Sequence, residues 1–234
     1  MEDIKLLIVD DKLEEFEVIK DTLEITGDYT IMTAENGVAG LEAYRQFKPD
    51  IIVTDKDMPK MNGVEMVKKI RETDDKIPVI MLTGMEDLKS LGLSFKAGVN
   101  NFLSKPISAA KLDWYIKGMV NIVESNNPTH GAGSKNPDVF QIGLYTFDYK
   151  NNLLTFGAET QSLTTFENQL LKMLCDSKGN VVKRVDILQT IWLDTDDYKA
   201  RSLDVYVSKL RDYLKQDTSI EIVTVKGVGL KLVG

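Results

Sequence analysis

Short apolar runs alternate with stretches whose apolar residues recur every three or four positions, and this alternation repeats five times in the first 124 residues. Ile4-Lys5-Leu6-Leu7-Ile8-Val9 is nearly continuous in apolar character, as a strand covered on both faces must be. Leu13, Phe16, Ile19 and Leu23 then fall at helical spacing over 13–26, where Gly27 ends the helix. The pattern predicts a second strand over 29–34 and a second helix over 38–47, stopped by Pro49. A third strand over 51–54 precedes a helix marked by Val64, Val67 and Ile70. A fourth strand over 79–82 leads to a helix at 88–96, and a short fifth strand at 101–103 leads to the stripe Leu112, Tyr115, Ile116, Met119 and Val123. Five strand-then-helix units predict an α/β fold, a doubly wound five-stranded parallel sheet with right-handed crossovers.

The pattern changes after residue 124. Residues 125–138, SNNPTHGAGSKNPD, carry no periodicity, two prolines and two glycines, and read as a flexible linker spanning roughly 20 Å. His130 in it reads as a solvated linker side chain. Residues 139–157 read as short antiparallel strands, with turns at Gly143 and Asn151-Asn152. Thr164-Thr165-Phe166-Glu167 has capping-box spacing and opens a helix that includes Leu170, Leu171 and Leu174, with Cys175 read as a packed thiol. A second helix is predicted over 184–192, then an acidic loop over 194–197, then a third helix over 199–215 with Leu203, Val207, Leu210 and Leu214 on one face. The opposite face of that third helix carries Arg201, Val205, Ser208, Lys209 and Asp212. It suits either a DNA major groove or an ordinary solvated surface. The chain closes on a hairpin, 220–225 and 230–233, with a basic tip at Lys226. The expected organisation is therefore 1–124, a linker at 125–138, and 139–234.

Composition narrows the chemistry. The 234 residues are 43% apolar and 28% charged, enough for two packed cores. Net charge is -7, all of it within residues 1–130, which hold 16 basic and 23 acidic side chains. From Lys199 onward 7 basic side chains face 4 acidic ones, so the only basic lean is C-terminal. One cysteine excludes a disulfide framework and a thiolate cluster, and one histidine excludes a multi-histidine metal site. No apolar run approaches the ~18 residues that would span a bilayer, and the acidic N-terminus leads straight into a strand, so a cytoplasmic protein is expected.

Open parallel sheets bind ligands beyond the carboxyl ends of their strands. There the sequence places Asp10 and Asp11, then Asp55 with Asp57, then Thr83, then Ser104 and Lys105. Adjacent carboxylates require a cation to remain ionised together. An all-oxygen set suits Mg²⁺. A carboxylate there can act as nucleophile toward a phosphoryl group, with Lys105 and Thr83 to bind its oxygens.

The set Ile8-Val9-Asp10-Asp11, Thr54-Asp55-Lys56-Asp57-Met58-Pro59 with Asn62-Gly63, Leu82-Thr83-Gly84 and Phe102-Leu103-Ser104-Lys105-Pro106 resembles the receiver domain of bacterial two-component response regulators, a CheY/flavodoxin-like fold. The resemblance implies Asp55 as phosphoacceptor, Asp10, Asp11 and Asp55 as Mg²⁺ ligands, and Asp57 as a ligand through its backbone carbonyl. It implies Thr83 and Phe102 as a switch pair and a cis Lys105-Pro106 bond. Residues 139–234 resemble the OmpR/PhoB-type winged helix-turn-helix domain, on Leu163-Thr164-Thr165-Phe166-Glu167, on 201–211 and on 224–229. That likeness implies DNA contacts from Arg201, Tyr206, Ser208, Lys209, Arg211 and Lys226.

Implied partners are a sensor histidine kinase, tandem half-sites on double-stranded DNA, RNA polymerase as a further candidate, and a second copy of the chain. The dimer of the family forms through the fourth helix, fifth strand and fifth helix by paired charges. Here the charged positions hold Leu91, Asn101, Lys111 and Tyr115, so a face with Leu91, Phe95 and Tyr115 is expected to pair by apolar burial. Asp212 stands where the family has a cation, Leu230 where the wing commonly has an aromatic residue, and Gly84 where Ala is usual. The implied role is a non-enzymatic, phosphorylation-controlled transcription regulator. Two other readings stay open. One is a receiver that dimerises without phosphorylation. The other is a phosphatase, since Asp55-Lys56-Asp57 also resembles the DxD start of haloacid-dehalogenase-type phosphatases, although those are longer and carry a cap.

Overall fold

The computed structural model describes residues 3–84, 97–125, 138–192 and 197–234. The chain divides into two compact units, Met1–Asn121 and Ile122–Gly234. The predicted helix at 88–96 and nearly all of the predicted linker lie outside the described residues.

In the N-terminal unit, β1 (Ile4–Val9), β2 (Tyr29–Ala34), β3 (Ile51–Asp55), β4 (Val79–Thr83) and β5 (Asn101–Ser104) form one sheet in the order β2-β1-β3-β4-β5, every neighbouring pair parallel. Leu6, Leu7, Ile8 and Val9 are all buried, as are Ile51, Ile52 and Val53. Each such side chain contributes about 1.5–3 kcal/mol on burial, which is why the central strands read as unbroken apolar runs. Helices α1 (Glu17–Ile25), α2 (Gly37–Phe47), α3 (Gly63–Arg71) and α4 (Ala109–Ser125) accompany the strands. The segment read as the start of the first helix is instead a 3-10 turn, Leu13–Phe16, whose entry residue Lys12 makes no side-chain cap. The second helix ends at Lys48 in a left-handed conformation, one residue before Pro49.

Two polar clusters tie the helices to the sheet. Arg71, at the end of α3, donates to the carbonyls of Asp74, Ile77 and Gly98 and to Asn100 Oδ1, stitching α3 to the turn before β5. Asp113 of α4 accepts from the Tyr29 hydroxyl at 2.7 Å and pairs with Lys117 at 3.0 Å, anchoring α4 to β2.

The C-terminal unit opens with an antiparallel sheet, β6 (Val139–Ile142), β7 (Tyr145–Asp148), β8 (Leu153–Phe156) and β9 (Glu159–Ser162), in sequential order. Three helices follow, α5 (Thr165–Asp176), α6 (Arg184–Trp192) and α7 (Asp197–Leu214). The capping box is present at α5, where Thr164 accepts from the Glu167 N–H and Glu167 accepts from the Thr164 N–H. Phe166, Trp192 and Tyr206, one from each helix, lie with ring centres 5.5–6.4 Å apart in a buried aromatic cluster. The hairpin of β11 (Glu221–Val225) and β12 (Gly229–Val233) is joined by β10 (Val181–Lys183), giving the sheet order β10-β12-β11.

Gly229 is where β12 crosses β10, and a Cβ there would lie 1.9 Å from the Val182 carbonyl oxygen. Gly229→Ala is therefore expected to detach β10 and lower the stability of this unit by about 2 kcal/mol, read as an earlier thermal transition by circular dichroism; an unchanged melt would show that β10 is not held there. Burial pushes the Cys175 thiol up to about 12. Its stabilising contribution is then complete below the ordinary thiol range and is lost as pH rises toward that value. Alkylation of the native protein at pH 8.5 should be at least about tenfold slower than in denaturant; equal rates would contradict the burial.

Candidate functional site

The sheet order reverses between β2 and β3, on either side of β1, so the loops leaving β1 and β3 part in opposite directions and leave a crevice at the strand ends. The register brings Val9 beside Thr54, and Asp55 beside Leu82. Asp10 follows β1 directly and is fully buried, its backbone N–H still donating to the Ala34 carbonyl. Asp55 ends β3. The loop after it returns through Asn62, which caps α3 in a capping box with Glu65. Gly63 closes that loop so tightly that a Cβ would lie 2.2 Å from the Asp55 carbonyl oxygen.

Lys105 follows β5 and its backbone N–H donates to the Thr83 carbonyl. The bond to Pro106 is cis, in line with the resemblance. The Lys105 ammonium lies 2.6 Å from Asp10 Oδ2 and 2.6 Å from Asp55 Oδ1, so one cation bridges two carboxylates brought together from different strands. The remaining oxygens are also satisfied: Asp10 Oδ1 accepts from the Lys12 N–H at 2.9 Å, and Asp55 Oδ2 accepts from the Asp57 N–H at 2.7 Å. Burial pushes the Asp55 carboxyl up from its ordinary range, against the lowering effect of Lys105 and of the Asp57 N–H. Burial opposes the charge on Lys105 as well, but its hydrogen bonds to Asp10 and Asp55 outweigh that and hold the ammonium above the usual lysine range.

The other expected residues fall around this bridge. The Asp11 and Asp57 side chains are exposed. Thr83 ends β4, buried, with its hydroxyl 3.4 Å from the Gly84 carbonyl. The Phe102 ring on the neighbouring strand is buried. Phe16, which sequence reasoning places only in the apolar stripe of a helix, presents its ring 5.4 Å from the Lys105 ammonium. Its position one turn after Asp10-Asp11 is the available signal. Among the described residues no three carboxylate, thiolate or imidazole groups are gathered to hold a metal as they stand. Lys105 instead offsets one of the two negative charges of Asp10 and Asp55. The all-carboxylate donor set, net negative around one ammonium, nevertheless has the chemistry a hard divalent cation requires.

The faces expected to meet DNA and a second copy need correction. Tyr206 does not face outward; it is 1% exposed, inside the aromatic cluster. Tyr115, expected on an apolar dimer face, is 1% exposed within the core of the N-terminal unit, while its neighbour Trp114 is 51% exposed. In each case the apolar stripe read from the sequence is in phase, with Leu112, Ile116 and Met119 beside Tyr115 and Leu203, Val207 and Leu210 beside Tyr206 all buried, and it is the position carried over from the family that turns inward. Lys111 is exposed, and Leu91 and Phe95 lie outside the described residues. On α7 Ser208 is exposed, and the side chain of Arg201 lies outside the described residues. Arg211 is exposed, and donates through Nε to the Ile222 carbonyl at 2.9 Å and through Nη2 to Thr224 Oγ1 at 2.8 Å, which fastens α7 to β11. The Lys209 ammonium lies 3.1 Å from Glu167. Lys226 is exposed at the turn between β11 and β12. Arg184 escapes the sequence reading: its N–H donates to the Val228 carbonyl in that turn, and its guanidinium pairs with Asp204 of α7 at 2.8 Å.

Removing the bridging cation would leave the buried Asp10 and the half-buried Asp55 facing each other. Lys105→Met is expected to destabilise the N-terminal unit by about 2 kcal/mol, with Asp10→Asn in the same background returning most of the loss. Urea denaturation measures both, and an unaltered midpoint in the single variant would show that the bridge carries no stability.

Two family models match the chain, "Response regulator receiver domain" over residues 6–117 and "Transcriptional regulatory protein, C terminal" over residues 158–232. The chain is 33% identical to the transcriptional regulatory protein RprY of Bacteroides fragilis over 99% of its own length and 95% of the relative's. It is 31% identical to a CpxR homolog of Haemophilus influenzae, over 98% and 99%. A receiver domain protein from Methanospirillum hungatei superposes with a TM-score of 0.50 at 27% identity, over 53% of this chain and 98% of that one.

Proposed function

The chain belongs to the two-component response regulators of the OmpR/PhoB type, transcriptional regulators that join a receiver to a DNA-binding domain, and from that membership we propose that Asp55 is its phosphoacceptor. The observation that carries this reading is the Lys105 ammonium held 2.6 Å from both Asp10 and Asp55 at the open rim of the sheet. An Asp55 carboxylate oxygen attacks the phosphorus of a phosphohistidine in a sensor kinase. The P–N bond breaks, the imidazole departs with its electron pair, and an acyl phosphate forms on Asp55. Lys105 then binds one phosphoryl oxygen, and the Thr83 hydroxyl another. Asp10, Asp11 and Asp55, with the Asp57 backbone carbonyl, are the residues that would hold Mg²⁺. The ion supplies neutralisation of charge on the transferring group.

The acyl phosphate adds negative charge beside Asp10 and redirects Lys105, so the receiver's population moves toward a second conformation. Thr83 and Phe102 are the pair through which that change passes. Dimerisation follows through β5, α4 and the segment at 88–96, with Trp114 rather than Tyr115 as the aromatic residue available on α4. The dimer places two C-terminal units on tandem half-sites of double-stranded DNA, met by Arg201, Ser208, Arg211 and Lys226, and engages RNA polymerase. The protein acts in the cytoplasm and accepts the phosphoryl group without multiple turnover, so it is not an enzyme in its own right.

Acid-labile phosphate incorporation tests the core of this reading. With acetyl phosphate and Mg²⁺ the wild-type chain should take up one phosphoryl group per molecule, and Asp55→Asn none; chelation should abolish uptake. Equal labelling of the Asp55→Asn variant would place the acceptor elsewhere. DNA affinity in Asp55→Asn that matches wild type with and without the donor would favour phosphorylation-independent dimerisation.

A further inference from the structure

Along α7 the residues fall into stripes of four-three-four spacing. Asp204, Ser208, Arg211 and Lys215 are exposed. Leu203, Val207, Leu210 and Leu214 are buried. Ser202 and Tyr206 are buried as well, and Lys209 and Tyr213 continue their stripe at the same spacing. Lys209 is thus on the flank of the helix that packs inward, not on the outward stripe with Ser208 and Arg211. Its ammonium lies 3.1 Å from Glu167, a carboxylate only 1% exposed, and 5.7 Å from the centre of the Tyr206 ring. Burial, with the charge of the same carboxylate nearby, pushes the hydroxyl of Tyr213, one turn further along, up from its ordinary range. Glu167 already accepts the Thr164 N–H at 2.9 Å as part of the α5 capping box, so groups from two helices converge on it.

We propose that Lys209 is a positioning residue of the DNA-binding domain: its ammonium is the counter-ion of Glu167, it locks α7 against the start of α5, and it is not among the cations that meet DNA.

The choice between the two roles is one of electrostatic cost. To reach a phosphate, Lys209 would have to leave a carboxylate that water does not reach, and a buried charge deprived of its partner costs far more than an exposed ion pair returns. Ser208 and Arg211, on the exposed stripe, and Lys226, on the turn of the hairpin, carry no such obligation to a buried charge. α7 therefore reads DNA with fewer cations than its sequence carries, and its angle to α5 depends on one buried ion pair. The inference rests on DNA binding by the C-terminal unit, and it separates residues that touch the duplex from one that aims the helix.

The test uses the full chain and a 30-base-pair duplex of mixed sequence, with binding followed by fluorescence anisotropy over a salt series. The variants are Lys209→Met, Glu167→Gln and the double variant. Taking one cation away from a DNA phosphate lowers the slope of log K against log salt by about 0.9. The expected result is that Lys209→Met melts lower by about 5 °C or more, that the double variant recovers at least about half of that loss, and that the double variant keeps the wild-type salt slope. Lys226→Met in parallel should reduce the slope. The proposal is overturned if the slope of the double variant falls by about 0.9, or if Lys209→Met melts with the wild type.

Discussion

Everything at the rim of the first sheet depends on one ammonium shared between two carboxylates. Asp10 and Asp55 arrive there because β1 and β3 are neighbours in register, and Lys105 because β5 ends at the same level. The bridge at 2.6 Å to each is the point where three strand ends become a single electrostatic unit. Two carboxylates against one ammonium leave a net negative charge, which is the condition under which the proposed Mg²⁺ would be held there even while the site is internally paired. Addition of a phosphoryl group to Asp55 would rearrange that balance at its centre and not at its edge, and a change there is felt at the ends of three strands together.

The C-terminal unit solves a different problem. On the proposed function α7 must present cations to DNA, yet its own unit has to pack tightly enough to aim them. Here several of the charged side chains on or near α7 serve the second purpose. Arg211 fastens α7 to β11, Arg184 joins the start of α6 to both the hairpin turn and Asp204, and Lys209 balances Glu167. The chain as a whole carries -7, so little general attraction to a polyanion is available. Affinity must come from a small number of well-placed cations, and that makes the rigidity of α7 part of recognition.

Much of this is legible in the sequence. The inner strands β1, β3 and β4 announce themselves as apolar runs because both faces are covered, and the residues that follow the strands gather where open sheets place ligands. The capping box at Thr164 and Glu167 and the terminal hairpin are equally legible, being local in sequence. What escapes is what is placed by family position alone or depends on distant partners. Tyr115 and Tyr206 have outward roles by family position, yet both are buried, and a 100° step along the helix separates each from a more exposed neighbour, Trp114 and Val205. Strand β10 has three residues and exists only through its pairing with β12, so no window of sequence reveals it. Glu167 is recognisable as a cap, but its second partner lies 42 residues away on another helix.

The two buried lysine–carboxylate pairs show how one chemical device serves opposite ends. Asp10 and Glu167 are both inaccessible to water, and each is matched by a lysine that is partly exposed. Around Glu167 the charge closes: one carboxylate against one ammonium, with a capping N–H on its other oxygen and no charge left over. Such a pair has nothing to offer an incoming ion and serves as a strut. Around Lys105 it does not close, because a second carboxylate shares the same ammonium, and that surplus lies where Asp55 is partly exposed at the crevice. An unbalanced pair at an opening is available for chemistry, whereas a balanced one between helices holds geometry. On this ground the same residue type is assigned a reacting partner in one unit and a purely mechanical role in the other.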